Sequence, residues 1–370
     1  MIDHIIPSEL LPQDGRFGSG PSKVRPEALA RLAEIGDGLL GTSHRQDRVR
    51  GQVARLQEGV RQLFALPDDY QVVLAVGGAT AFWESLAFGL VEQRSRHYSF
   101  GEFSSKFAAA TTAAPWLDDP DVIASDPGDA PEPSAAAGCD VQALTHNETS
   151  TGVTQGLARV DDALVVVDAT SGAGGIAFDI DAVDVYYFSL QKGFAAEGGL
   201  TVALMSPAAV ERVGQVSASG RYIPTFLDLG QAIENSSKAQ TYNTPSVSTV
   251  VLAAEQVDWM LTTHGGLEHV ARHQQTKAAA IYEWAETRSW ASPFVQDLAK
   301  RSPMVATIDL DEAISADEVN VILRSNGIVD TDGYRKLGRN QLRVAMFPAV
   351  DLADLEAYTG CVDWIVEQIA

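Results

Sequence analysis

Cysteine is almost missing from this chain: Cys139 and Cys361 are the only two among 370 residues. Two thiols cannot build a disulfide framework or a cysteine-rich metal centre, so neither is expected. Long apolar runs are missing too. No stretch of eighteen apolar residues occurs, and no helical membrane span is expected. The opening Met1-Ile2-Asp3-His4-Ile5-Ile6-Pro7 lacks the basic start and apolar core of a signal peptide, which makes the cytoplasm the expected location. Basic residues are scarce, 27 against 49 acidic ones, for a formal net charge of −22. Such a surface repels nucleic acid and anionic membranes, and neither is expected as a partner. An anionic substrate would have to be held by a few local arginines and backbone N–H groups working against that field. Finally, the dinucleotide fingerprint G-x-G-x-x-G is absent. The glycine-rich strand end reads Gly77-Gly78-Ala79-Thr80, and no acidic residue ends a second strand at the required interval.

What is present is an ordinary globular composition, 45% hydrophobic and 21% charged, with length enough for one large and one smaller domain. Helical periodicity begins at Pro26 and again over Val49–Phe64. Apolar, β-branched runs predict strands at Tyr70–Val76, just before Phe100, at Asp140–His146, Leu164–Ala169, Val183–Phe188 and Gly198–Met205. The Pro-, Ala- and Asp-rich segment 118–137 reads as a surface connection. Strands alternating with helices across 65–205 imply an α/β fold with a mainly parallel sheet covered on both faces. Thr244 or Ser246 is placed to cap a helix over Val247–Thr262. Beyond it the pattern becomes α+β, with helices at Val270–Arg288, Asp317–Asn326 and Asp351–Ile369 and strands at Met304–Leu310 and Leu342–Phe347. The division drawn is 17–255 for a large domain and 256–370, joined by residues 1–16, for a small one. There is no internal repeat.

In parallel sheets of this type ligands collect beyond the carboxyl ends of the strands. Gly77-Gly78, Phe103, Thr149, Asp168 and Lys192 all fall at or just past such ends. A lysine delivered by a buried strand is costly unless it is neutralised or used covalently. Covalent attachment to pyridoxal phosphate is one use, because a pocket that lowers the amine pKa makes it a nucleophile. The remaining requirements of such a cofactor are then met in order. Asp168 can pair with the protonated pyridine nitrogen, and Phe103 can stack on the ring. Gly78, Ala79 and Thr80 at a helix start can hold the phosphate, with Gln191 as a further donor. Thr149 can donate to the phenolic oxygen. No metal site is expected.

Seven segments together resemble one family. They are Phe17-Gly18-Ser19-Gly20-Pro21, Ser43-His44-Arg45, Gly77-Gly78-Ala79-Thr80, Asn147-Glu148-Thr149-Ser150-Thr151-Gly152, Asp168-Ala169-Thr170-Ser171, Ser189-Leu190-Gln191-Lys192 and Asn243-Thr244-Pro245-Ser246. The chain is similar over nearly its whole length to the phosphoserine aminotransferases of the class V group. Its alanine and aspartate excess matches an actinobacterial-like branch. The resemblance implies the type I pyridoxal phosphate fold, with a seven-stranded sheet in the large domain. It implies amino transfer between L-glutamate and 3-phosphohydroxypyruvate, in the biosynthesis of serine and pyridoxine. It also implies a homodimer in which Asn243 and Thr244 reach the cofactor phosphate of the partner subunit. His44 and Arg45 would bind substrate, and Arg335 and Arg343 would hold its anionic groups, since arginine forks suit carboxylate and phosphate.

Three departures from the family pattern stand out. Phe103 occupies a position where many members carry tryptophan, Tyr334 replaces a histidine beside Arg335, and the segment Lys336–Gln341 is slightly long. Among rivals, another class V enzyme such as an alanine–glyoxylate aminotransferase is nearest. A cysteine desulfurase needs a mobile reactive cysteine, whereas Cys139 starts a strand and Cys361 falls in the last helix. A non-catalytic binding protein on the same fold need not keep both Lys192 and Asp168.

Overall fold

The computed structural model describes residues 4–369; Met1–Asp3, part of the stretch grouped above with the small domain, and Ala370 lie outside the described residues. Two helices open the chain, α1 (Pro26–Gly36) and α2 (Asp47–Leu63). Alternation then begins: β1 (Gln71–Val76), α3 (Ala79–Gly89), β2 (Ser95–Ser99), α4 (Glu102–Thr112), β3 (Asp121–Ala124) and β4 (Val141–Thr145). A two-residue ladder joins β5 (Asn147–Glu148) to β6 (Val153–Thr154), and β7 (Leu164–Asp168), β8 (Val185–Ser189) and β9 (Leu200–Met205) follow. Next come α5 (Pro207–Ala218), α6 (Leu229–Ser236), α7 (Val247–Trp259) and α8 (Leu267–Glu286). The C-terminal region holds β10 (Ala291–Pro293), β11 (Val305–Leu310), α9 (Ala316–Ser325), β12 (Gln341–Ala345) and α10 (Leu352–Ile369).

Seven strands form one sheet in the order β1-β9-β8-β7-β4-β2-β3. All neighbours run parallel except β9, which is antiparallel to both β1 and β8. β7 reads Leu-Val-Val-Val-Asp and is buried on both faces, as a central parallel strand must be. Its Val165 and Val167 enter one core with α2 and α7, while Leu164 and Val166 enter the core under α3, α5 and α6. Each such side chain is worth roughly 1.5–3 kcal/mol on burial. A third core belongs to the C-terminal region, where α8, α9 and α10 cover the antiparallel sheet β10-β11-β12. Ile6 and Phe17 from the chain's beginning enter that core.

The reading of 118–137 as mere connection requires a correction. β3 lies within it and pairs parallel to β2 at the sheet edge. An edge strand is bonded on one side only, so Val122 stays 45% exposed and the segment carries little apolar signal. Ser246 is the residue that caps α7, accepting from the Thr249 N–H. That helix ends at Trp259 in a wider turn, Met260–His264, which Gly265 closes in the left-handed conformation.

Candidate active site

Because β1, β2, β4, β7 and β8 are parallel, their carboxyl ends share one edge of the sheet. The loops there line a cavity of about 220 Å³ bounded by Gly78, Phe103, Thr149, Asp168, Gln191 and Lys192. A second hollow of about 350 Å³ shares Phe103, Thr149 and Lys192 with it and adds Gly20, Tyr334 and Arg343. Size alone would not have chosen this place, since a hollow of about 500 Å³ lies at the opposite end of β1 around Arg61 and Tyr70.

Lys192 follows β8 and is 8% exposed. Its ammonium donates to the Ser19 carbonyl at 2.7 Å and to Thr149 Oγ1 at 3.1 Å, and it sits 5.6 Å from the centre of the Phe103 ring. Burial, helped by the nearby Arg343 charge, pulls the amine down to about 8, with Asp168 and Glu148 opposing. The opening loop holds it in place. The Ser22 N–H donates to the Gln191 carbonyl at 2.8 Å, and the Ser22 hydroxyl donates to the Lys192 carbonyl at 2.6 Å. Gly20 has φ +136°, and any Cβ there would stand 2.8 Å from Lys192 Cε. Only glycine satisfies both the backbone and the lysine.

Asp168 ends β7 and is 4% exposed. Its Oδ2 accepts the Trp83 indole N–H at 2.7 Å and its Oδ1 accepts the Thr170 N–H at 2.9 Å. Burial pushes its pKa up, and those donors pull it back. The cavity's other wall is the N-terminus of α3, where Gly78 is the N-cap. The first N–H groups of a helix have no partner within it and favour an anion. Phe103 stands in the first turn of α4, whose start is tied down by Glu148 beneath it. Glu148 Oε2 accepts from the Phe103 and Ser104 N–H groups at 3.0 and 2.9 Å and from the Ser104 hydroxyl at 3.0 Å. Its Oε1 accepts from the Ser150 hydroxyl at 2.7 Å and the Ser150 N–H at 3.2 Å.

Arg343 projects from β12 into the second hollow. It donates to the Thr149 carbonyl at 3.4 Å, lies 5.4 Å from the Tyr334 ring centre, and keeps its buried Nε without a partner. Tyr334 in turn lies 6.3 Å from Phe103. Arg335 is exposed on the following turn and lines a neighbouring hollow with Asp332 and Tyr334, outside both cavities at Lys192. His44 and Thr244 meet each other, with His44 Nδ1 and Thr244 Oγ1 3.2 Å apart, while Arg45 and Asn243 are exposed beside them. None of these four lines either cavity. Sequence reasoning missed Ser19, Ser22, Trp83, Lys106 and Glu148. Of these, Glu148 carried a signal in its place between Asn147 and Thr149.

The donors present fit pyridoxal phosphate. Gln191 Oε1 and Thr170 Oγ1 are buried without partners, and both residues line the 220 Å³ cavity between the lysine and the helix start. The otherwise unpaired Thr170 hydroxyl could donate to such a ligand, the Gln191 amide could donate through its nitrogen, and a protonated ring nitrogen would give the buried Asp168 a cationic partner.

Comparison with known proteins agrees. Residues 129–338 match the family Aminotransferase class-V. A Mycobacterium avium (strain 104) relative is 56% identical over the whole of both chains. A phosphoserine aminotransferase of Nocardioides sp. is 55% identical over 369 residues, 98% of each chain. The crystal structure of a phosphoserine aminotransferase from Cytophaga hutchinsonii superposes with a TM-score of 0.88 at 25% identity, covering 97% of this chain and all of the other. An alanine–glyoxylate aminotransferase from Nostoc sp. shares the fold at a TM-score of 0.78 and 19% identity, covering 98% of each chain, so the fold alone does not separate the two activities. Full-length identity above one half does: the chain belongs to the class V aminotransferases and, within them, to the phosphoserine aminotransferase family.

Proposed function

We propose that the protein transfers the amino group between L-glutamate and 3-phosphohydroxypyruvate, yielding O-phospho-L-serine and 2-oxoglutarate. The observation that carries this is a buried lysine whose amine is pulled down to about 8 in the same cavity as a buried, cation-free aspartate. Pyridoxal 5′-phosphate supplies a reactive aldehyde and an electron-withdrawing ring. The chain's own residues do the rest. Lys192 Nζ would be the nucleophile that holds the cofactor and, as a free amine, would accept the proton from the substrate α-carbon. Asp168 would keep the ring nitrogen protonated. Gly78, Ala79, Thr80 and Gln191 would hold the phosphate, Phe103 would cover a ring face, and Thr149 would donate to the phenolic oxygen.

Arg343 binds a substrate carboxylate, its unpaired Nε supplying the second half of a bidentate fork. Arg335 serves the far anionic group by swinging in from its exposed turn. His44, Arg45, Asn243 and Thr244 act in a homodimer, each set completing the partner's site; their grouping with one another, apart from Lys192 of the same chain, supports this reading. Exposed Tyr222, Phe226 and Tyr242 suit such an interface. The enzyme would work in the cytoplasm, in serine and pyridoxine biosynthesis.

A coupled assay tests the assignment. Glutamate with 3-phosphohydroxypyruvate should turn over, glyoxylate and pyruvate should not, and Lys192→Ala should abolish the reaction. Turnover with glyoxylate or pyruvate in place of the phosphorylated acid would move the protein to a sister aminotransferase.

A further inference from the structure

We propose that Trp83 is a positioning residue for the reaction: its indole N–H orients the Asp168 carboxylate and holds it anionic toward the cofactor's ring nitrogen. This rests on the cofactor reading above. A carboxylate used to keep a ring nitrogen protonated must itself stay ionised, yet Asp168 is buried at 4% exposure and forms no ion pair among the described residues. Burial favours its neutral acid. Two N–H groups work the other way. The Thr170 amide on Oδ1 is main chain, which any residue would provide. The indole on Oδ2, at 2.7 Å, is a side-chain donor held by its own helix, and the neighbouring Thr170 hydroxyl also favours the anion.

The choice of side chain has a chemical consequence. An indole N–H donates and cannot accept, so it bonds to a carboxylate oxygen and offers nothing to an acid proton on that atom. A hydroxyl or an amide at the same place would tolerate both forms. The ring is also firmly held. Trp83 is 4% exposed, lies 6.1 Å from the Phe107 ring at an interplanar angle of 20°, and forms part of the cavity wall. It sits on α3, the helix whose N-terminus faces the cofactor's phosphate position, so one short helix would address both ends of the ligand.

The other groups facing Asp168 do not replace this donor. Lys192 attracts it from the loop after β8 without touching it. Tyr186 and Tyr187 of β8 remain neutral, and the Tyr187 hydroxyl is buried without a partner. Lys106 of α4 lines the same cavity without contacting the aspartate.

The test replaces the N–H and little else. Trp83 is exchanged for 3-benzothienylalanine, in which sulfur stands in the position of the indole nitrogen, and Trp83→Phe is made alongside. Pyridoxal phosphate affinity is measured by quenching of protein fluorescence from pH 5.5 to 9, and kcat and KM are measured over the same range. The sulfur isostere should bind pyridoxal phosphate about tenfold or more weakly on the acid side. Its acid limb should move to higher pH, because an aspartate that loses a donor to its anion is protonated more readily. The loss should appear in kcat rather than in KM for glutamate. An isostere with the wild-type pH profile and affinity would overturn the proposal while leaving the cofactor reading intact. Failure of the wild-type protein to bind pyridoxal phosphate would overturn both. A merely structural role would lower stability in the phenylalanine variant without moving the pH profile of the isostere.

Discussion

Glu148 offers the sharpest test of how the ring-stacking wall is built. The residue is fully buried, and its carboxylate accepts five hydrogen bonds: three on Oε2 from the first turn of α4 and two on Oε1 from Ser150. Glu148→Gln preserves shape but leaves one acceptor oxygen. If that oxygen takes the Oε2 position, the new amide nitrogen faces the Ser150 N–H, donor against donor. The Ser150 hydroxyl can rotate to accept, so one backbone bond is lost outright. The remaining bonds fall from charge-assisted to neutral strength, and the total loss is about 3 kcal/mol.

Because three of those donors begin α4 and the Ser150 hydroxyl itself accepts from the Glu102 N–H, the loss should appear as local opening of the turn that carries Phe103. Hydrogen exchange followed by mass spectrometry on peptides spanning 101–107 should show protection falling about a hundredfold in the variant, with β7 and β8 unchanged. Exchange at Phe103 and Ser104 within threefold of wild type would refute the reasoning. It would mean that Glu148 is already a neutral acid in the folded protein, the direction in which its burial pushes it.

Two further outcomes are expected. Since the Lys192 amine titrates near 8 rather than at the ordinary 10.5, about one molecule in ten of the cofactor-free protein carries the neutral amine at pH 7. The rate at which added pyridoxal phosphate is captured and made borohydride-stable at Lys192 should therefore rise about tenfold per pH unit below 8 and level off above it. A rate still climbing tenfold per unit from pH 9 to 10 would contradict the depressed amine. Gly101→Ala should be costly for want of space rather than for backbone strain, its φ being an ordinary extended 177°. The new methyl would press into the Glu148 side chain and stand 2.7 Å from Ser150 Oγ, lowering Tm by roughly 5 °C or more, and an unchanged melting temperature would count against the packing described.

The parts of the site that could be read from the sequence are those that end strands. Asp168 and Lys192 are single charges closing apolar runs, and Gly77-Gly78 separates a strand from a helix, so each betrays its position locally. Trp83 and Glu148 do not. A tryptophan inside an apolar helix has the same pattern whether its N–H is spent on solvent or on an aspartate 85 residues away, and a glutamate between an asparagine and a threonine is marked by its place in that run but shows nothing of the helix end it caps. β3 escaped because an edge strand bonded on one side needs few apolar residues. Arg335 and Arg343 are both candidate anion-binding groups in the sequence, yet one is exposed on a turn and the other, inside a predicted strand, enters the cavity. Which face of β12 presents Arg343 is set by the register of β12 against β11, which local pattern does not fix.

The reversed strand β9 has a wider consequence. Lys192 sits on the ten-residue return from β8 to β9, a return whose two flanking strands are locked side by side where it leaves and rejoins them, through the Ser189–Thr201 pairing in the sheet. The lysine is thus carried on a closed span, not on one end of a long crossover. A residue inserted or lost within that span would leave both strands and their pairing untouched while carrying the amine away from Ser19 and Thr149. Length variation here is accordingly a route by which a descendant could keep the whole architecture and surrender the chemistry. In comparing members of this fold, the span of that return is then as informative about retained activity as the identity of the lysine itself.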